Sequence, residues 1–236
     1  MSIQSDLDNA GSKEQALIQN RFFKTGKGHY GEGDLFIGIR VPEQRLIAST
    51  YKDLSLKEIE ELLKNPIHEY RLTALLILIN QFKKHPKEVY EFYMKNLKYV
   101  NNWDLVDASA PKITGAYLFD KDKTILSKLA KSSNLWEKRV AIVSTYYFIQ
   151  KNHFTATFKI AELLLSDKHD LIHKAIGWML REVGKKDQHQ LEAFLQKNYN
   201  KLPRTTLRYA IERFDEKKRK QYLNNTFTSQ HVITSS

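Results

Sequence analysis

Two short stretches carry residue types and spacings that could do chemistry. NNWDLVDASAP sets Trp103 and Asp107 four residues apart, which on a helix puts an indole and a carboxylate on the same face. KAIGWMLRE places Trp178 four residues after Lys174 and three before Arg181, so a second indole shares its face with two cations. Taken singly, each residue has a plainer reading: tryptophans fill cores, and Asp107 can cap a helix or pair with Arg139. Together, an aromatic beside a carboxylate and another beside two cations suit a site better than a core.

Helices must position them. Almost every segment repeats its apolar residues with helical period, and no Val/Ile/Thr-rich stretch alternates as a half-buried strand would. SLKEIEELLKNP has Ser55 and Glu58 in capping-box spacing, Leu56, Ile59, Leu62 and Leu63 on one face, and a stop before Pro66. Many helices of this kind with brief polar junctions predict stacked helical hairpins. A basic or polar residue followed by a small or apolar run recurs at Arg71, Asp107, Arg139, Lys174 and Arg208, in steps of 36, 32, 35 and 34 residues. A period in the middle thirties suits helix-pair solenoids, and without the tetratricopeptide pattern the HEAT-like form is expected. The chain is therefore expected to be all-α, a right-handed superhelix of antiparallel helix pairs, with these five positions in one column on its concave face. Four of the five are cationic and could follow a phosphate backbone. Asp107 works against anion binding there and needs a reason of its own.

Residues 1–223 are expected to form one domain, and the polar stretch from 224 to 236 a disordered tail. Residues 25–44, TGKGHYGEGDLFIGIRVPEQ, read as a glycine-rich loop joining an N-terminal helix to the array. Its Gly26, Gly28 and Gly31 spell GxGxxG, but no strand leads in and no βαβ unit follows, so nucleotide binding is not expected. His169 and His173 have the spacing of helical zinc ligands, yet no third ligand or general-base glutamate accompanies them, so no metal is expected. The 236 residues carry a net charge of +11, which favours a polyanionic partner, nucleic acid first. Cysteine is absent, which removes disulfides and thiolate chemistry. The N-terminus lacks the features of a secretory signal, and the longest apolar run, Leu72 to Ile79, is too short for a membrane helix, so a cytoplasmic protein is expected.

WDLVD at 103–107, WEKR at 136–139 and KAIGWMLRE at 174–182, together with FKTGKGHYGEGDLFIGIRVPEQR, resemble the signature regions of the AlkD-type DNA alkylation repair glycosylases, in the right order and at compatible spacing. The resemblance covers roughly residues 15 to 215. It implies a monofunctional glycosylase, needing no cofactor and acting as a monomer, that releases N3- or N7-alkylated purines from duplex DNA without base flipping. It also implies roles: Asp107 is the catalytic carboxylate, Trp103 and Trp178 flank the lesion-bearing sugar, Arg139 holds the neighbouring phosphate and Arg181 adds a backbone contact. Lys174, Arg71 and Arg208 complete the expected DNA-binding set from the column. Two positions depart from the family pattern: Asn102 stands where some members have another aromatic, and Phe22 replaces a tyrosine. The competing readings are a non-catalytic DNA- or RNA-binding solenoid and a HEAT-like protein scaffold, the latter disfavoured by the cationic column.

Overall fold

The computed structural model describes residues 2–227, and every regular element among them is helical. The chain divides between Lys121 and Asp122 into two compact units. The first holds α1 (Ile3–Ala10), α2 (Lys13–Phe22), α3 (Val41–Thr50), α4 (Leu56–Leu63), α5 (His68–Phe82), α6 (Pro86–Lys95), α7 (Trp103–Ser109) and α8 (Ala116–Leu118). The second holds α9 (Thr124–Ala130), α10 (Leu135–Gln150), α11 (Thr155–Leu164), α12 (Asp170–Lys186), α13 (Gln188–Asn198), α14 (Arg204–Ala210) and α15 (Glu216–Asn224). The all-α expectation holds. Among the described residues no helix is long and apolar enough to cross a membrane.

The helix starts follow from local chemistry. Ser55 and Glu58 close the expected capping box on α4. Asn134, Asp187 and Asp215 accept backbone N–H groups at the starts of α10, α13 and α15, and Pro86 opens α6 where a missing N–H costs nothing.

In the first unit α5 is the central helix, packed against α3, α4, α6 and α7. Its residues from His68 to Leu78 are all buried, as a helix with neighbours on every side requires. Burial of Leu72, Leu75, Leu76, Ile77 and Leu78 contributes about 1.5–3 kcal/mol per side chain. The segment before α3 is tied to the first turn of α5. The His68 N–H donates to the Leu35 carbonyl at 2.8 Å, and the buried Glu69 carboxylate accepts from the N–H groups of Ile37, Gly38 and Ile39 at 3.2, 2.8 and 3.2 Å. Gly38 has φ 89°, and a Cβ there would lie 1.9 Å from the Ser12 carbonyl oxygen, so only glycine fits.

In the second unit α10 packs against α9, α11 and α12, and α12 against α13 and α14. Phe227 stacks on Tyr222 at 4.6 Å and meets Tyr199 edge-on at 4.9 Å, so aromatic packing continues past residue 223, where the polar tail is expected to begin. Residues 228–236 of that tail lie outside the described residues.

The closeness of α12 and α14 rests on Gly177. A Cβ at that position would sit 2.5 Å from Tyr209 Cβ and 2.7 Å from the Thr206 carbonyl oxygen. In an exposed helix, glycine-to-alanine would stabilise by about 1 kcal/mol. Here Gly177→Ala should instead destabilise by about 2 kcal/mol, because α14 must be pushed away. Urea denaturation of both proteins measures the sign, and a stabilised variant would contradict the close approach.

Candidate active site

α7 is a short helix whose first turn is fixed by its flanking residues. Asn102 caps it, with Oδ1 accepting from the Trp103 N–H at 2.8 Å. Pro111 interrupts the α pattern beyond its end, and the chain widens into a π turn over Pro111–Gly115, closed by the Gly115 N–H on the Ala110 carbonyl. Ser109 ties α7 to its neighbour, since its hydroxyl donates to the Leu105 carbonyl at 2.6 Å and lies 2.9 Å from the hydroxyl of buried Tyr93 on α6.

Trp103 and Asp107 lie one turn apart on α7, as their spacing predicts, and both are half-buried. One face of the Trp103 indole stacks on Phe23, with centroids 5.2 Å apart and planes at 17°. Phe22 meets the indole edge-on at 5.7 Å and is itself 61% exposed. Asp107 makes its charge felt in the interior. Burial pushes the Tyr93 hydroxyl well above its ordinary pKa and the negative charge of Asp107 pushes the same way, against the Ser109 hydrogen bond.

Sequence reasoning misses the polar cluster beneath this helix. His68, buried in the first turn of α5, has Nδ1 3.1 Å from Asp34 Oδ2 and Nε2 2.8 Å from Asp104 Oδ2. With a carboxylate at each nitrogen, both must donate, and the ring is an imidazolium. Burial works against that charge, but Asp104 and then Asp34 overcome it and raise the His68 pKa to about 9. Burial likewise opposes the Asp34 charge, yet His68, Arg71 and Asn102 together hold its carboxyl below the ordinary carboxylate range. Asn102 Nδ2 donates to Asp34 Oδ2 at 2.8 Å, so the residue that departs from the family pattern is a structural amide here. The sequence signal is HEYR at 68–71, where His68, Glu69 and Arg71, three residues able to carry charge at neutral pH, open a largely apolar helix.

Arg71 corrects the expected cation column. It is 4% exposed, donates through Nη2 to Asp34, and gives Nη1 to the carbonyls of Asn65 and Pro66, both at 3.0 Å. A buried guanidinium needs its charge matched from within the fold, and with Asp34 on Nη2 and two carbonyls on Nη1 it has no surface at which to meet a phosphate.

In the second unit, Lys174, Trp178 and Arg181 share one face of α12, and the half-buried Trp178 indole lies 5.9 Å from the Tyr146 ring of α10. Lys174 pairs with Asp170 at 2.7 Å and is 41% exposed. The Arg181 guanidinium pairs with Glu212. Arg139 is buried and donates to the Leu171 carbonyl at 2.7 Å, joining α10 to the start of α12. Arg208 is exposed on α14. His169 caps α12 by accepting from the Leu171 N–H at 3.1 Å, and His173 bonds the Asp167 carbonyl. Gly28 lies in a turn where its N–H donates to Glu32 at 2.7 Å.

The His68 cluster makes stability depend on pH in a definite direction. Its folded pKa near 9 exceeds the ordinary 6.5, so the stabilisation is fully present below pH 6.5 and is lost as pH rises through 9. The change across that window is roughly 3 kcal/mol. Denaturant midpoints at pH 6, 7.5 and 9 should fall accordingly, and in His68→Gln this part of the decline should vanish. A variant that declines as steeply as the parent would exclude His68 as its source.

The chain resembles the solved structure of a "Predicted DNA alkylation repair enzyme" from Enterococcus faecalis, with a TM-score of 0.73 and 20% identity, over 87% of this chain and 97% of that one. At that identity the likeness concerns the fold. No curated protein matches the sequence. The family model described as DNA alkylation repair enzyme matches residues 3–214, from the first residue of α1 to the end of the turn before α15. With nearly the whole chain inside that match, it belongs to the DNA alkylation repair enzyme family.

Proposed function

We propose that this protein is a monofunctional DNA glycosylase, acting as a monomer and without a cofactor, that hydrolyses the N-glycosidic bond of cationic N3- or N7-alkylated purines in duplex DNA. The observation that carries the reading is the carboxylate of Asp107 one turn beyond Trp103, on a helix whose first turn is locked. Membership of an alkylation-repair family supplies the substrate class.

The reaction needs little acid catalysis, because an alkylated purine already carries positive charge and leaves as a neutral base. As the C1′–N bond breaks, its electron pair goes to the purine and the sugar becomes oxocarbenium-like. A half-buried carboxylate stabilises that cation better than one in bulk water and orients the water that attacks C1′. Water adds its oxygen to the sugar and releases a proton, leaving an abasic site. The indoles of Trp103 and Trp178 flank the sugar in this reading, adding cation–π attraction to the developing charge. Gripping the sugar leaves the base in the duplex, without flipping.

DNA contact falls to the second unit's cations in a right-handed HEAT-like superhelix that carries them on its concave face. Lys174 and Arg208 meet phosphates directly. The Lys174–Asp170 pair is partly exposed and worth little, so exchanging Asp170 for a phosphate costs little. Arg181 gives up Glu212 in the same way; Arg139, buried and tied to the Leu171 carbonyl, holds the phosphate beside the lesion only once its guanidinium has left that carbonyl. Arg71 has no part in the interface.

Single-turnover release of N7-methylguanine from duplex DNA tests the chemistry. Asp107→Asn should slow it by roughly 100-fold or more while DNA affinity holds or rises, since a repelling charge has gone. Binding without release in the parent protein would favour the non-catalytic reading. Affinity should also fall steeply with salt, with a log–log slope of about −0.9 per phosphate contact. Arg208→Ala should flatten that slope by about one contact. Arg71→Ala should leave the slope unchanged and lower the unfolding midpoint instead; a flattened slope would return Arg71 to the interface.

A further inference from the structure

We propose that His68 is a positioning residue that clamps Trp103 from both sides through Asp34 and Asp104, fixing the indole that meets the substrate sugar; the assignment rests on the glycosylase reading above. The geometry converges on one residue. Asp104, which follows Trp103, is held by His68 Nε2 at 2.8 Å. Asn102, which precedes it, donates to Asp34 Oδ2 at 2.8 Å, the oxygen that lies 3.1 Å from His68 Nδ1. Both chain neighbours of the indole are thus tied to opposite ends of a single Asp34–His68 pair.

A third tie runs through the rings. His68 stacks on Phe36 at 4.5 Å and lies 4.9 Å from Phe23, and Phe23 in turn stacks on the Trp103 indole. One indole face is therefore backed by a ring that itself rests on His68. The segment that supplies Asp34 and Phe36 is pinned by Glu69, the neighbour of His68 on α5. Behind Asp34 stands Arg71. The charged groups facing the cluster are therefore Asp34 from the loop, Asp104 from α7, and Glu69 and Arg71 from α5 itself.

The clamp needs the ring in its charged form. A neutral imidazole has one N–H and can hold one carboxylate, whereas the imidazolium holds both at once. Loss of the proton therefore releases one arm, and the indole loses its fixed relation to Asp107. His68 is buried with its nitrogens filled, so it acts through Trp103 and not on the substrate.

The test uses the full chain and a duplex containing N7-methylguanine. His68→Gln can donate to only one carboxylate. At a temperature where circular dichroism shows it folded, it should bind DNA as the parent does but excise roughly 10- to 100-fold more slowly at saturating enzyme. The parent's rate should fall near pH 9 with its fold intact, and the variant should lack that inflexion. Adding Asp104→Asn to His68→Gln rebuilds the bridge from amides and should restore most of the rate. A folded His68→Gln with the parent's rate and pH profile would overturn the clamp.

An independent readout separates this from the glycosylase reading. In the full chain carrying Trp136→Phe and Trp178→Phe, Trp103 is the only fluorophore of its type. Its emission should change with a midpoint near pH 9, and His68→Gln should abolish that change. If the parent excises nothing, the glycosylase reading fails while this titration still decides the clamp. A flat emission profile across that range overturns it, and this arm needs only the protein with His68 intact should His68→Gln fail to fold.

Discussion

The first unit depends on a cluster of charges buried where the central helix begins. Buried Asp34, His68, Glu69 and Arg71 meet half-buried Asp104 around the first turn of α5, in a site where an unpaired ion costs several kcal/mol. Each is compensated. Two cations balance two of the carboxylates, and the third, Glu69, is solvated by three consecutive backbone N–H groups, as water would do it. Such a cluster adds little net stability over apolar packing but allows only one arrangement of its parts. The parts belong to the loop before α3, the start of α5 and the start of α7, so that arrangement fixes how these three segments join.

What was legible in the sequence follows from which interactions are local. The α4 capping box, the helical face shared by Trp103 and Asp107, and the α12 face that holds Lys174, Trp178 and Arg181 all depend on spacings of three or four residues. The buried cluster depends on pairs 34, 36, 37 and 68 residues apart, and no local spacing encodes those. Arg71 shows the consequence. Its place in the repeat column is regular, but regular spacing along stacked helices sets the backbone position and not where the guanidinium ends. A carboxylate 37 residues earlier in the chain turned it inward. HEYR carried the hint, because His68, Glu69 and Arg71 at the head of a largely apolar helix need partners from elsewhere.

Asn102 also changes meaning once the fold is seen. As a departure from an aromatic it reads as a loss, whereas its amide caps α7 with one end and binds Asp34 with the other. Phe22 is a different case. Without a hydroxyl it offers no hydrogen bond, and its exposed ring lies against the edge of the Trp103 indole, which extends the aromatic surface beside α7.

The two units divide their chemistry in a way the proposed reaction accounts for. In the second, Lys174 holds Asp170 in a partly exposed pair, and such partners can be exchanged for phosphate at little cost. In the first, the polar groups at the head of α5 are paired within the fold, and little there can be exchanged. Breaking the bond to a cationic purine asks for no strong acid and no metal, since the leaving group is already activated. What remains is to hold one negative charge and one aromatic face at fixed positions while the sugar becomes cationic. Electrostatic stabilisation of that kind works only if the groups need not reorganise during the reaction. A short helix such as α7, with seven residues, cannot hold such a geometry by its own hydrogen bonds. Rigidity has to come from beneath it, and the buried ions at the head of α5 are where the fold supplies it.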